Sequence, residues 1–112
     1  MMRLNRLACA TLVAALTWGV AAHAEDEKVF TLTIKDQAFS PKELTIPAHE
    51  RVKLTVKNEN PGVAEFESND LNREKIITPG NEITVYVGPL EPGSYKFFDD
   101  FHRSTAGTLI AK

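Results

Sequence analysis

The segment Tyr95-Lys-Phe-Phe-Asp-Asp-Phe-His-Arg-Ser-Thr-Ala-Gly-Thr-Leu-Ile110 combines a strand pattern with a group of potential metal ligands. Tyr95 and Phe97 share one face of an aromatic strand, and Gly107 opens a last strand. The polar loop between the two strands holds three potential ligands, Asp99, Asp100 and His102. Imidazole with carboxylate oxygen suits divalent transition metals. The segment therefore predicts a metal site in a loop held between two strands.

Alternating apolar and polar residues extend from this segment over most of the chain. Phe30, Leu32 and Ile34 alternate with polar residues, and the same period of two recurs over 43–46, 51–57 and 82–87. Such alternation indicates strands with one buried and one wet face. Proline and glycine turn signals separate the strands at short intervals. The pattern predicts an all-β protein, a Greek-key β-sandwich or barrel of about seven to eight strands, in which 69–75 forms a loop or a single helical turn.

The N-terminus has the composition of a secretory signal peptide. Arg3 and Arg6 precede an apolar run from Leu7 to Val20, and Ala22-His23-Ala24 is a small-x-small cleavage site. The apolar run is too short to span a bilayer. We therefore expect a signal peptide over 1–24, a single exported domain over 25–112 and a periplasmic location.

Charge and cysteine content narrow the possible functions of the exported domain. The whole chain has a formal net charge of −2, and loss of Arg3 and Arg6 with the leader makes it −4. A mildly acidic surface argues against nucleic acid as a partner. Cys9 is the single cysteine and leaves with the leader, so the exported domain has no disulfide and no thiolate ligand.

A second acidic cluster, Glu65-Phe66-Glu67, follows the turn at Asn60-Pro61-Gly62. On a strand, Glu65 and Glu67 share one face while Phe66 points to the core. Two carboxylates on one face repel each other unless water, a cation or a basic side chain separates them. The cluster is thus either a metal site or a solvent-facing edge with Arg73 and Lys75 as partners. In a Greek-key sandwich, Glu65 and His102 can meet at one end, whereas His49 is interpreted as a solvated turn residue.

The chain resembles the cupredoxins. The resemblance is carried by the asparagine-rich turn before the Glu65 strand, by Leu90-Glu-Pro-Gly-Ser-Tyr95, and by a ligand loop closed by a glycine. Relative to the blue copper pattern, Asp99 stands at the cysteine position, Glu65 at the first histidine and Thr105 near the methionine. His102 alone matches. The resemblance therefore implies a cupredoxin-like fold without a blue copper site, poorly suited to rapid copper electron transfer.

A closer resemblance is to the cupredoxin-like proteins of bacterial ferrous-iron uptake systems of the Efe and Ftr types. It rests on Phe39-Ser-Pro41, Glu65-Phe-Glu-Ser68, Arg73-Glu-Lys75, Pro79-Gly80, Pro92-Gly-Ser-Tyr-Lys-Phe-Phe98, Phe101-His102 and Thr105-Ala-Gly107. It implies a periplasmic accessory that binds Cu(II) or iron and works with an inner-membrane iron permease and other periplasmic iron-uptake components. The implied ligands are Glu65 and His102, with Asp99 or Asp100 and with Glu67.

Two other functions remain open from the sequence. One is a copper-dependent ferroxidase or an electron-transfer partner of the permease, which requires a redox partner that the sequence does not show. The other is a structural or interaction sandwich whose acidic loops are merely solvated. No residue has a recognisable catalytic context. Exposed edge strands also allow a homodimer, although no residue demands one.

Overall fold

The structure is a computed structural model that describes residues 27–112. The predicted signal peptide over 1–24 and Cys9 lie outside the described residues, and both remain predictions. In the described part, no helix is long and apolar enough to cross a membrane.

Nine strands form within 27–112, in two sheets that pack as a sandwich. In chain order they are β1 (Val29–Lys35), β2 (Ala38–Ser40), β3 (Glu43–Ile46), β4 (Val52–Asn58), β5 (Ala64–Ser68), β6 (Arg73–Ile77), β7 (Glu82–Val87), β8 (Gly93–Asp99) and β9 (His102–Ala111). One sheet has the order β2-β1-β4-β7 and the other β3-β9-β8-β5-β6. β1 pairs parallel with β4, and β3 pairs parallel with β9. The predicted all-β sandwich is confirmed, with nine strands instead of seven to eight.

The core lies between the two sheets and is built from the apolar half of each alternating strand. Leu32 and Ile34 of β1, and the apolar residues of β4, are fully buried. An aromatic trio at its centre links the sheets: the ring centroids of Phe39 and Phe97 are 4.8 Å apart, and those of Phe66 and Phe97 are 5.5 Å apart. Phe66 and Phe97 belong to β5 and β8, so this trio forms the rigid support beneath the candidate ligands.

Two local predictions were wrong. Residues 69–75 are neither wholly a loop nor a helical turn, because Arg73 already belongs to strand β6, which pairs antiparallel with β5. The last strand does not open at Gly107, since β9 begins at His102. The predicted ligand loop is therefore only a two-residue turn, Asp100 and Phe101, between two long paired strands.

Candidate metal site

The outer face of β5 presents both of its glutamates next to β6, which carries Glu74. Phe66 is fully buried, whereas Glu65 and Glu67 are half-buried on the opposite face, as the alternation predicted. Glu67 is the cross-strand partner of Glu74 in β6. The side chain of buried Asn58 holds the start of β5 in place by donating from Nδ2 to the carbonyls of Gly62 and Ile77, both at 2.9 Å. Position and orientation of the glutamates therefore follow from the sheet and from this turn.

Asp99 points to the inside of the sandwich and is fully buried. Its Oδ1 accepts hydrogen bonds from the backbone N–H of Glu65 at 2.9 Å and of Phe101 at 3.0 Å. Its Oδ2 lies 3.2 Å from Nδ1 of His102. Asp99 therefore ties β5 to the β8–β9 hairpin and uses both oxygens to do so.

His102 begins β9 beside Asp99, with 45% of its side chain exposed. Because Asp99 Oδ2 is an acceptor, the 3.2 Å contact places a proton on Nδ1 of the ring. A metal ion approaching His102 would then meet the other ring nitrogen, Nε2. This is the arrangement in which a carboxylate fixes the tautomer and the orientation of a ligating histidine.

Asp100 turns the opposite way and joins the two glutamates of β5. Its backbone N–H donates to the Glu65 carbonyl at 2.9 Å, which extends the β5–β8 ladder into the turn. One carboxylate oxygen of each of Glu65, Glu67 and Asp100 lies within 4.8 Å of the other two. We call these three residues the acidic triad. Within residues 27–112, they form the one group of at least three His, Cys, Asp or Glu side chains that lie close enough together to hold a metal ion.

Asp100 is paired with an arginine of the same hairpin. Nη2 of Arg103 lies 2.6 Å from Asp100 Oδ1 and forms an ion pair with it. The Arg103 guanidinium also lies over the Phe98 ring, 5.3 Å from its centroid. Arg103 is therefore the charge partner of Asp100 and lies at the border of the triad.

The triad carries repulsion that is not fully balanced. Partial burial, followed by the carboxylates of Glu74 and Asp100, raises the pKa of Glu65 above its ordinary value. Burial and the same two carboxylates raise the pKa of Glu67, and Arg103 opposes this only in part. Closely spaced carboxylates with raised pKa values are the environment that a bound cation would relieve.

The predicted site residues thus separate into two groups. Glu65, Glu67 and Asp100 come together, whereas Asp99 and His102 form a separate pair behind them. Arg73 was expected to balance the glutamates, but its guanidinium donates to the carbonyls of Tyr86, Leu71 and Asn72. No ion pair joins Lys75 to the triad in the described residues.

Sequence reasoning missed Glu74 and Arg103 as neighbours of the triad. Glu74 was hidden because β6 was not recognised as a strand, and it takes the pairing of β5 with β6 to set it opposite Glu67. Arg103 directly follows His102, and the two-residue turn at 100–101 is what brings it back to Asp100. A tight hairpin prediction for this turn would have found Arg103.

The residues at the blue copper positions do not fit a blue copper ion. Asp99 replaces the thiolate and is committed to three hydrogen-bond donors. The hydroxyl of Thr105 is buried and donates to the Gln37 carbonyl at 2.7 Å. A centre of this type needs a thiolate, and residues 27–112 contain no cysteine. The acidic triad offers different chemistry, an oxygen donor set for a hard or borderline cation.

Comparison with known proteins agrees with the geometry of the fold. Residues 8–111 match the family model of the cupredoxin-like domain. An uncharacterized protein of Rickettsia prowazekii, RP394, is 43% identical over 79 residues, which make up 70% of this chain and 63% of that protein. The chain therefore spans less than two thirds of the length of this curated relative.

Solved structures similar to this chain share its architecture at low sequence identity. A dithionite-reduced auracyanin from Roseiflexus castenholzii has a TM-score of 0.64 and 15% identity, covering 77% of this chain and 98% of that one. A purple cupredoxin from Nitrosopumilus maritimus has a TM-score of 0.60 and 20% identity, covering 73% and 98%. These identities support a common fold, and the family match extends over nearly the whole sequence. The chain belongs to the cupredoxin-like domain family.

Proposed function

We propose that this protein binds a transition metal ion, Cu(II) or iron, as cargo through the acidic triad of Glu65, Glu67 and Asp100. The observation that carries the proposal is the convergence of three carboxylates within 4.8 Å on one sheet face. The raised pKa values of Glu65 and Glu67 support it, because a bound cation would offset the partial burial and the neighbouring carboxylates that raise them. His102 is paired with Asp99 behind the triad and is not one of the three converging side chains.

The donor set favours binding and transfer over rapid electron transfer. A cupredoxin-like fold suggests a copper-binding or electron-transfer role. Carboxylate oxygens, however, stabilise Cu(II) and iron ions without the thiolate that makes copper sites fast in redox cycling. Half-buried ligands on an open sheet face also suit release to a partner. We therefore favour a metal-binding accessory over a ferroxidase.

The cellular setting follows from the sequence resemblance and is part of the proposal. The protein acts in the periplasm as an accessory of high-affinity iron uptake and passes its metal towards an inner-membrane iron permease, alongside other periplasmic components of that system. The leader-like N-terminus and the Glu65-Phe-Glu-Ser68 and Phe101-His102 motifs support this setting. Its test is ferrous-iron uptake by cells that lack the protein, complemented with wild-type protein or with the triad variant described next.

Calorimetric titration of the purified protein with Cu(II), and anaerobically with Fe(II), tests the binding site. The double variant Glu67→Gln with Asp100→Asn keeps the shape of the triad and removes two charges, so affinity should fall on the order of 100-fold or more. The matched control, Glu59→Gln with Glu82→Gln, removes two exposed carboxylates elsewhere and should bind as the wild type does.

Other outcomes would relocate or reject the site. Loss of binding in His102→Ala with full binding in the triad variant would place the metal on the imidazole instead. Equal affinity in all variants, or an unfolding temperature indifferent to both metals, would leave a structural or interaction sandwich with solvated carboxylates.

A further inference from the structure

A second feature lies beside the acidic triad on the same sheet face. A groove of about 450 Å³ runs across β8 and β9 to the edge at β3. Its floor is largely apolar and includes Phe98, Ala106 and Thr108, which are neighbours across the β8–β9 ladder or along β9. Neither the fold nor the proposed metal site explains why this apolar surface is exposed to solvent.

The cations around the groove give it a charge opposite to that of the protein. Lys42, Lys96 and Arg103 line it from the segment before β3, from β8 and from β9, and none of the described residues lining it is acidic. Within 27–112, no carboxylate lies within 4.0 Å of the Lys42 or Lys96 ammonium. The two lysines are therefore the groups that would attract an anion, since Arg103 is already paired with Asp100.

The groove and the triad share a boundary. Phe98 of the groove is the cross-strand partner of Glu67 in the triad. Arg103 lines the groove and at the same time lies 2.6 Å from Asp100. An anion in the groove would therefore lie next to a cation held by the triad, with Arg103 between them.

We propose that the groove binds a small organic carboxylate with a hydrocarbon body, and that the triad receives its metal as a complex with such a carboxylate. The cations recognise the carboxylate, and the apolar floor accommodates the carbon skeleton. An acidic triad alone repels a negatively charged metal complex, whereas cations at its border offset that repulsion. The second half of the proposal rests on the proposed metal-binding function, and the first half does not.

The anion half is tested on metal-free protein with phthalate as the probe. We expect saturable shifts in the backbone amide signals of Lys96, Phe98, Ala106 and Thr108. Affinity should fall at least fivefold in the double variant Lys42→Ala with Lys96→Ala. The matched control, Lys35→Ala with Lys57→Ala, removes two exposed lysines from the other sheet and should leave the affinity unchanged.

Three results would overturn the anion half. Phthalate shifts that do not saturate, or that survive unchanged in the Lys42 and Lys96 variant, would mean that the groove is not the site. Inorganic phosphate binding as tightly as phthalate would show that the apolar floor plays no part. Binding of an acidic peptide in the groove while phthalate fails to bind would assign the surface to a protein partner instead.

The second half of the proposal, that the metal arrives as a carboxylate complex, is tested by the affinity for Cu(II) with and without phthalate. Phthalate should tighten Cu(II) binding in the wild type and have no such effect in the Lys42 and Lys96 variant, whose triad is intact. If Cu(II) binds the triad equally with and without phthalate, the metal is received as the free ion, and the proposed function stands without this extension. If Cu(II) does not bind while phthalate does, the proposed function fails and the groove assignment stands.

Discussion

Asp99 and Asp100 are adjacent in the chain and have opposite surroundings. Asp99 is fully buried, and its oxygens are occupied by two backbone N–H groups and by the His102 ring. Asp100 faces outwards, joins two half-buried glutamates, and has the Arg103 guanidinium as its charge partner. One carboxylate is therefore held by hydrogen bonds inside the sandwich, while the other belongs to an outward-facing cluster of carboxylates.

The difference shows why the blue copper positions are a poor guide to the site of this chain. The position of the thiolate is retained, but its side chain has become a structural anchor for the hairpin. The carboxylates that we propose as ligands include Asp100, one residue later, and lie on the outer face of the sheet. In this interpretation, the inner side of the hairpin determines stability and the outer side determines metal binding.

The largest expected effect is a stability loss in Asp99→Ala. Removal of the buried carboxylate leaves the N–H groups of Glu65 and Phe101 without acceptors, which should lower the free energy of unfolding by about 3 kcal/mol or more. Asp99→Asn keeps an acceptor oxygen and should recover part of the loss. Asp100→Ala should change it by no more than about 1 kcal/mol. Urea denaturation of the metal-free proteins measures all three.

The opposite result would exchange the roles assigned to Asp99 and Asp100. If Asp99→Ala left the unfolding free energy unchanged but abolished Cu(II) binding, Asp99 would be a ligand. Its hydrogen bonds with Glu65 and Phe101 would then contribute nothing to the stability of the fold.

A second prediction concerns Gly107, which lies on the inner side of β9. A Cβ at this position would lie 2.6 Å from Phe97 Cε1 and 2.7 Å from the Lys42 carbonyl oxygen. Gly107→Ala should therefore cost about 1–3 kcal/mol, the usual range for overpacking a core. Gly62→Ala is the control, because nothing lies within 4 Å of its Cβ. Equal unfolding midpoints for the two variants would refute close packing beneath the hairpin.

The sequence predicts the fold well because most strands alternate strictly. It misses β6 because four of the five residues of Arg73–Ile77 are exposed, so the strand carries no buried face to reveal it. Alternation also sets Glu65 and Glu67 on one face. It does not show that Asp99 can be buried, because one of the hydrogen bonds that make burial tolerable comes from Glu65, 34 residues away. The distinction between Asp99 and Asp100 is therefore a tertiary property.

A smaller effect distinguishes stability from binding at the triad itself. Glu67→Gln removes one of the mutually repelling carboxylates, so the unfolding temperature of the metal-free protein should rise by roughly one to three degrees. The same variant should gain less stability than the wild type when Cu(II) is added, because a ligand has been lost. Scanning fluorimetry measures the unfolding temperature of the metal-free protein and its increase when Cu(II) is added. A drop in the metal-free protein would mean that Glu67 is stabilised by partners and is not under repulsion.

The smallest effect is a pH dependence whose sign follows from the raised pKa values of Glu65 and Glu67. In the unfolded chain both groups titrate at the ordinary glutamate pKa. Between that value and the raised values, the folded protein holds more protons, so metal-free stability falls as pH increases through this window. Metal binding must displace those protons, so affinity should rise through the same window.

Unfolding temperatures measured against pH separate these two contributions. The metal-free slope should flatten when Glu65 and Glu67 are both replaced by Gln, whereas Glu59→Gln with Glu82→Gln should leave it as it is. An unchanged slope in the Glu65 and Glu67 variant would assign the pH dependence to other carboxylates. The carboxylates of the outer face would then not repel one another measurably, contrary to the expectation from their raised pKa values. Metal binding by the triad would be supported only by the convergence of its three carboxylates.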